Sequence, residues 1–287
     1  MRMLPDKYQV LKVFNNNVVL AKEQKAEKIL IAKGLGYGKK EGDLIDAKTP
    51  FEKVFTIENQ ETMAKFSQLI GQIDASLVGI CEEIIYFIST ETNQPVGDEV
   101  HLRFIDHIAF AVYRLKNNDK IENPFVIEIE TLYAQETAIA KKAAKILGEN
   151  IGIEIPDDEI GFIALHIHTL KNQGKLSNTI KYAYLCNSVM DLIEDELGIE
   201  VDRKSIDYTR FITHIRFAIE RILKNIPIKN DLLAAIKKTY KNSYKLAKKV
   251  TQLLEEETNL KVSEAETGYI ALHIERLKNI SSYIAIK

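Results

Sequence analysis

RFIDHIAFAVYRL (residues 103–115) and EIGFIALHI (159–167) return 107 residues later as RFITHIRFAIERI (210–222) and ETGYIALHI (266–274). The gap-free alignment of 103–170 with 210–277 keeps 26 identities in 68 positions, so the chain holds two copies of one module. Each copy carries two histidines at one separation: His107 to His166 and His214 to His273 both span 59 residues. A period of 107 is domain-sized, well beyond the roughly 20–50 residues of a solenoid repeat.

Working outward, both copies read as helices. Phe104, Ile108, Ala111, Val112 and Leu115 mark one apolar face, and Leu132, Ile139, Ala143 and Leu147 mark another. Pro156-Asp-Asp-Glu159 resembles a helix start, and Ser263-Glu-Ala-Glu266 fits a capping box. Each module is expected to be a bundle of about five helices. Thr62 to Thr90 continues the helical spacing through Met63, Phe66, Ile70, Ile73, Leu77, Ile80, Ile84 and Phe87. The polar stretch Lys171 to Asn178 reads as the linker between bundles.

The front segment follows a different grammar. YQVLKVF, NVVLA, EKILIA and EKVFTI are short apolar runs parted by polar or Gly-bearing stretches, which predicts strands from Tyr8 to Ile57. Asn15-Asn16-Asn17 supplies a turn, and Gly34, Gly36, Gly38 and Gly42 punctuate a second loop. A domain this small buries only about 60% of its unfolded surface, so dimerisation through the sheet is expected. The predicted organisation is a small dimeric antiparallel β domain (1–57) and two all-α bundles (58–174 and 175–287).

Composition narrows the class. At 46% hydrophobic and 28% charged the 287-residue chain matches a water-soluble globular protein. No apolar run reaches the ~18 residues of a membrane span, and MRMLPDKYQV lacks the core of a signal peptide, so a cytoplasmic protein is expected. Cys81 and Cys186 lie apart in apolar surroundings and read as buried thiols. The net charge of −2 is divided: residues 1–57 hold 11 Lys+Arg against 7 Asp+Glu, so a polyanionic partner would dock at the front.

Imidazoles bind metals and accept phosphoryl groups. Helical spacing brings Arg103 and Arg114 toward the face of His107, and the second copy repeats this as Arg210, His214 and Arg221. A guanidinium one or two turns away suits a phosphate placed on the ring. The rival is a histidine-ligated metalloenzyme, which needs further ligands. Asp106 becomes Thr213 in the second copy, and His166 and His168 do not share a helix face. No HExxH, GxxxxGK[ST] or hydrolase triad motif is present, so neither an enzyme nor a cofactor is expected. A purely structural duplicated dimer is the remaining plain reading.

Over essentially its whole length the chain resembles the BglG/SacY family of bacterial transcriptional antiterminators. The resemblance lies in Lys12-Val-Phe-Asn-Asn-Asn-Val18 and Lys33-Gly-Leu-Gly-Tyr-Gly-Lys-Lys40, then in DHIAFA, THIRFA and the two IALHI motifs. NPF (123–125) and HIH (166–168) look most like the glucose-permease antiterminator branch. The resemblance implies an RNA-binding co-antiterminator domain that binds an mRNA hairpin and prevents a terminator from forming. It also implies two regulation domains phosphorylated on histidine by a phosphotransferase-system sugar permease and the phosphocarrier HPr, within a homodimer. Carried over by motif, the acceptors are His107, His166, His214 and His273. The RNA contacts are Asn17, Lys33, Gly34 and Tyr37, with Lys12, Lys39 and Lys40 nearby. A DNA-binding activator with the same regulation domains would need a helix-turn-helix where the strands are read.

Overall fold

The computed structural model describes residues 7–24, 26–57, 59–119, 122–172 and 176–284. Five strands come first: β1 (Lys7–Val13), β2 (Val18–Glu23), β3 (Ala26–Ile31), β4 (Leu44–Asp46) and β5 (Lys53–Ile57). They form one antiparallel sheet in the order β4-β1-β2-β3-β5, with a register shift between Val10 and Lys12. β4, only three residues long, is the strand that periodicity misses.

The runs VVLA and ILIA do not alternate apolar with polar, and the sheet accounts for this. Val19, Ala21, Leu30 and Ala32 face a core closed by Leu35 and Ile45. Val18, Leu20, Ile29 and Ile31, on the opposite face, are buried as well. A sheet buried on both sides reads as continuous apolar runs. The second layer includes helices α1 (Gln60–Ile70) and α2 (Ala75–Thr92), which pack against β5 and β2 respectively.

These two helices correct the expectation of one continuous helical stretch from Thr62 to Thr90. Asn59 caps α1 by accepting from Glu61 and Thr62 N–H groups. Asp74 caps α2 in the same way from Ser76 and Leu77, so the chain restarts after Gly71. The apolar spacing continues across the break because both helices cover one core.

The repeat contributes α3 (Asp98–Lys116), α4 (Val126–Leu132), α5 (Ala134–Ile151) and α6 (Asp157–Asn172). After α7 (Leu176–Leu197) come their counterparts α8 (Ile206–Leu223), α9 (Leu233–Thr239), α10 (Lys241–Thr258) and α11 (Glu264–Ile284). Several duplicated identities are structural. Asn118 and Asn225 adopt left-handed φ of 56° and 52°, which Asn tolerates better than most residues. Asn123 Nδ2 donates to the Asp158 carbonyl and Asn230 Nδ2 to the Ala265 carbonyl, each at 3.2 Å. Tyr133 and Tyr240 leave helical geometry at ψ 44° and 51°. They divide what spacing alone reads as one helix through Leu132 and Ile139. Of the expected linker, residues 173–175 lie outside the described residues.

The chain forms two compact units. One comprises 1–123 and 135–174; the other comprises 124–134 and 175–287. The second therefore includes α4, whose Glu128 is buried where it accepts from the Tyr208 hydroxyl at 2.5 Å. Cys81 and Cys186 are buried free thiols, and no described helix is long and apolar enough to cross a membrane.

Candidate functional site

In each unit the two repeated histidines meet. α3 brings His107 to His166 of α6, with ring centroids 4.7 Å apart and planes tilted by 32°. α8 brings His214 to His273 of α11, stacked at 4.0 Å and 23°. Phe162 stands edge-on to His107 and Phe104 to His166. Burial, then the neighbouring His107 and Arg103, pull His166 down to about 3. Burial, then His214 and Arg276, pull His273 down to about 4. Both rings are therefore neutral near pH 7, and a neutral imidazole has a nitrogen lone pair to offer an electrophile.

A carboxylate accompanies each pair. Glu159 and Glu266 are identical across the copies, 107 residues apart, and both are essentially inaccessible at 1% and 2% exposure. Their partners differ. Glu159 Oε1 lies 2.5 Å from His107 Nε2, although neither atom has a partner in good hydrogen-bond geometry. Glu266 instead accepts from Arg221 Nε at 2.5 Å and from its terminal nitrogen at 2.9 Å, which raises the guanidinium's pKa further. The expected capping box at Ser263 is thus only half made: Ser263 Oγ accepts the Glu266 N–H, but the carboxylate serves Arg221. In sequence both glutamates read as parts of helix starts and not of the site, although their identity in the repeat is visible.

His214, Arg221, Glu266, Tyr269 and His273 line a cavity of about 360 Å³. Of the four arginines proposed to pair with phosphate, Arg221 lines this cavity. Arg103 is close enough to disfavour protonation of His166 while bonded to Glu99 at 2.6 Å. Arg114 lies over the Phe110 ring, and Arg210 faces Asp207 at 3.8 Å. Arg276, which spacing did not single out, biases His273. Among the described residues no group of three His, Cys, Asp or Glu side chains is placed to hold a metal ion. The two unduplicated histidines have carboxylate neighbours: His101 Nδ1 is 2.8 Å from buried Glu82, and His168 Nδ1 is 3.5 Å from Glu136.

The second candidate face is on the sheet domain. Asn15 Oδ1 accepts the N–H groups of Asn17 and Val18, closing the β1–β2 turn as the triple Asn suggested. Asn17 Oδ1 accepts the Gly34 N–H at 2.9 Å, tying that turn to the glycine loop. Gly34 has φ +71°, a left-handed angle that suits glycine. Tyr37 is 79% exposed, so its ring lies in solvent and does not plug the sheet. Lys33 and Lys40 are exposed beside it and Lys39 half so. Lys12 and Asn17 are partly covered by the helices that follow the sheet.

Paired imidazoles in duplicated bundles behind a basic, aromatic-bearing sheet agree with comparisons to known proteins. The CAT RNA binding domain matches residues 8–64, and the PRD domain matches twice, at 82–170 and 187–277. The chain belongs to the BglG family of transcription antiterminators. The PtsGHI operon antiterminator of Bacillus subtilis (strain 168) is 38% identical over 95% of this chain and 98% of its own length. Protein GlcT of Staphylococcus haemolyticus (strain JCSC1435) is 33% identical over 95% and 96%. The transcription antiterminator LicT of Bacillus subtilis (strain 168) is 32% identical over 94% and 98%. A solved structure, "Crystal structure of GlcT CAT-PRDI", is 39% identical over 57% of this chain and 98% of that one, with a TM-score of 0.49.

This BglG-family antiterminator is thus an RNA-binding regulator, not an enzyme, with PRD domains governed by the phosphotransferase system. RNA and phosphotransferase-system components are its partners. Its front segment is a sheet and not a helix-turn-helix, which sets aside the DNA-binding rival.

Proposed function

We propose that this antiterminator, acting as a homodimer, grips an mRNA stem-loop through its sheet domain and is set by phosphate on four histidines. The domains divide as 1–57, 58–174 and 175–287. The RNA contacts are Lys12, Asn17, Lys33, Gly34, Tyr37, Lys39 and Lys40. Tyr37 offers a ring for base stacking, Asn17 an amide, and the lysines charge for phosphates. The acceptors are His107, His166, His214 and His273, with HPr and a sugar permease as donors.

The observation that carries this reading is the contact between imidazoles in each unit, with one ring of each pair held neutral. A ring nitrogen attacks the donor's phosphorus, the new N–P bond forms as the donor's bond breaks, and the donor leaves with its electron pair. Roughly two negative charges then arrive beside Arg103 in the first unit, and beside Arg221 in the second. Arg221 must then choose between Glu266 and phosphate, which gives the second unit two discrete arrangements. Incubation with phosphorylated HPr and phosphopeptide mapping tests the assignment. Label is expected on the repeated histidines, and undiminished labelling of a His214→Ala/His273→Ala protein at the second unit would reject it.

A further inference from the structure

Two acceptors from the helices occupy the edge of the loop face. Glu83 Oε1, on α2, accepts from Asn15 Nδ2 at 2.9 Å and from Asn17 Nδ2 at 3.1 Å. Lys12 Nζ donates to the carbonyl of Ile70, the last residue of α1, at 2.8 Å. α1 has no basic residue in its own last turn, so Lys12 supplies the cation that a helix C-terminus favours. Gly79 shows how closely α2 approaches: a Cβ there would fall 2.5 Å from Asn15 Nδ2 and 2.6 Å from its Cγ.

The amides are oriented before any ligand arrives. The Asn15 carbonyl oxygen is committed to the turn, and that of Asn17 to Gly34. Each side chain is therefore fixed with its NH₂ group, a pure donor, directed at the same point. An oxygen acceptor is the chemistry that fits there, and RNA presents phosphate, carbonyl and 2′-hydroxyl oxygens.

We propose that Asn15 and Asn17 form a paired amide site for an RNA oxygen, and that Glu83 closes it by standing in for that oxygen. This deepens the RNA-face reading and rests on it. The closed state leaves Lys33, Gly34, Tyr37 and Lys40 exposed, so half of the face stays available. The other half meets a carboxylate and a helix C-terminus, both of which repel an incoming phosphate. α2 must shift for the whole face to engage. The helix that carries His107 holds α2 directly, because His101 of α3 contacts Glu82, the neighbour of Glu83 in sequence.

The test measures binding of the full-length protein to one labelled stem-loop RNA, selected from a randomised pool on the Glu83→Ala chain. Glu83→Ala is expected to bind at least about tenfold more tightly than the unsubstituted chain, equivalent to about 1.4 kcal/mol. Glu83→Gln, which keeps an acceptor but loses the charge, should fall between them. Gly79→Ala is a second variant that spares the carboxylate. Its methyl collides with Asn15 while the helix itself gains from alanine, so it too should tighten binding. Affinity unchanged from the unsubstituted chain in both Glu83→Ala and Gly79→Ala overturns the proposal. Weaker binding by Glu83→Ala also overturns it, by making Glu83 a residue that positions the amides for RNA. Recovery of no stem-loop by any of these chains rejects the RNA-face assignment itself, and the competition with it.

Discussion

Arg221→Ala tests the electrostatic design of the second histidine pocket. The substitution removes both donors from Glu266, a carboxylate with 2% exposure beside two imidazoles. Removing one partner of a buried ion pair costs about 3–5 kcal/mol, because the other charge stays buried and unpaired. Here the Arg221 side chain is 27% exposed, so water already weakens the pair and about 2–3 kcal/mol is expected. Glu266→Gln keeps an oxygen for the guanidinium and loses only the charge assistance, so about 1 kcal/mol is expected. The Arg221→Ala/Glu266→Ala double variant leaves no stranded charge, and its cost should fall short of the summed single-alanine costs by about 1.5 kcal/mol or more. Urea unfolding of the full chain, followed by circular dichroism and fitted to the transition that the substitutions move, supplies these values. Additive costs would refute the reasoning: Arg221 would then be a surface cation, and its exchange between Glu266 and phosphate would lose its basis.

Protonation should govern stability through His166 and His273. Both take up a proton near pH 6.5 when unfolded but only near about 3 and about 4 when folded. The unfolded chain thus binds more protons between those limits, and stability falls as pH drops below 6.5, by up to about 1.4 kcal/mol per pH unit for each ring. A His166→Gln/His273→Gln protein should show a visibly flatter dependence between pH 6.5 and 5 in urea unfolding; an unchanged slope contradicts the neutral-ring assignment. Tyr37→Ala should leave the thermal midpoint within a degree or two, since the ring lies in solvent, yet weaken stem-loop binding by about 1–3 kcal/mol of lost stacking. Gly34→Ala should cost about 1–2 kcal/mol of stability, because alanine resists φ +71°, and should also loosen the amide link to Asn17; thermal melts and amide exchange at residue 34 check both.

Much of the architecture was legible in one chain because the chain carries its own comparison. The offset of 107 identifies helices, turns and histidines together. The structure then separates two kinds of surviving identity. Asn118 and Asn225 persist for a left-handed turn and Asn123 and Asn230 for a helix-entry bond, whereas the histidines, Glu159 and Glu266 persist at the paired-histidine sites. Less legible were events where local and long-range preferences disagree. Ser263-x-x-Glu266 satisfies a capping rule, but a guanidinium 45 residues away in sequence claims the carboxylate. Glu83 sits on a helix with nothing local to mark it, and its meaning comes from two asparagines 66 and 68 residues earlier. The break at Tyr133 is invisible to periodicity because apolar residues continue on both sides, and only its recurrence at Tyr240 shows it to be built in.

The most direct measurement of the central claim is phosphohistidine mapping of the full chain after incubation with phosphorylated HPr and sugar permease, with stem-loop affinity read on the same sample. The account predicts phosphate on His107, His166, His214 and His273, a changed RNA affinity, and neither effect when all four are alanine. Phosphate confined to other side chains, or a four-alanine protein that labels and responds to RNA like the original, would contradict it.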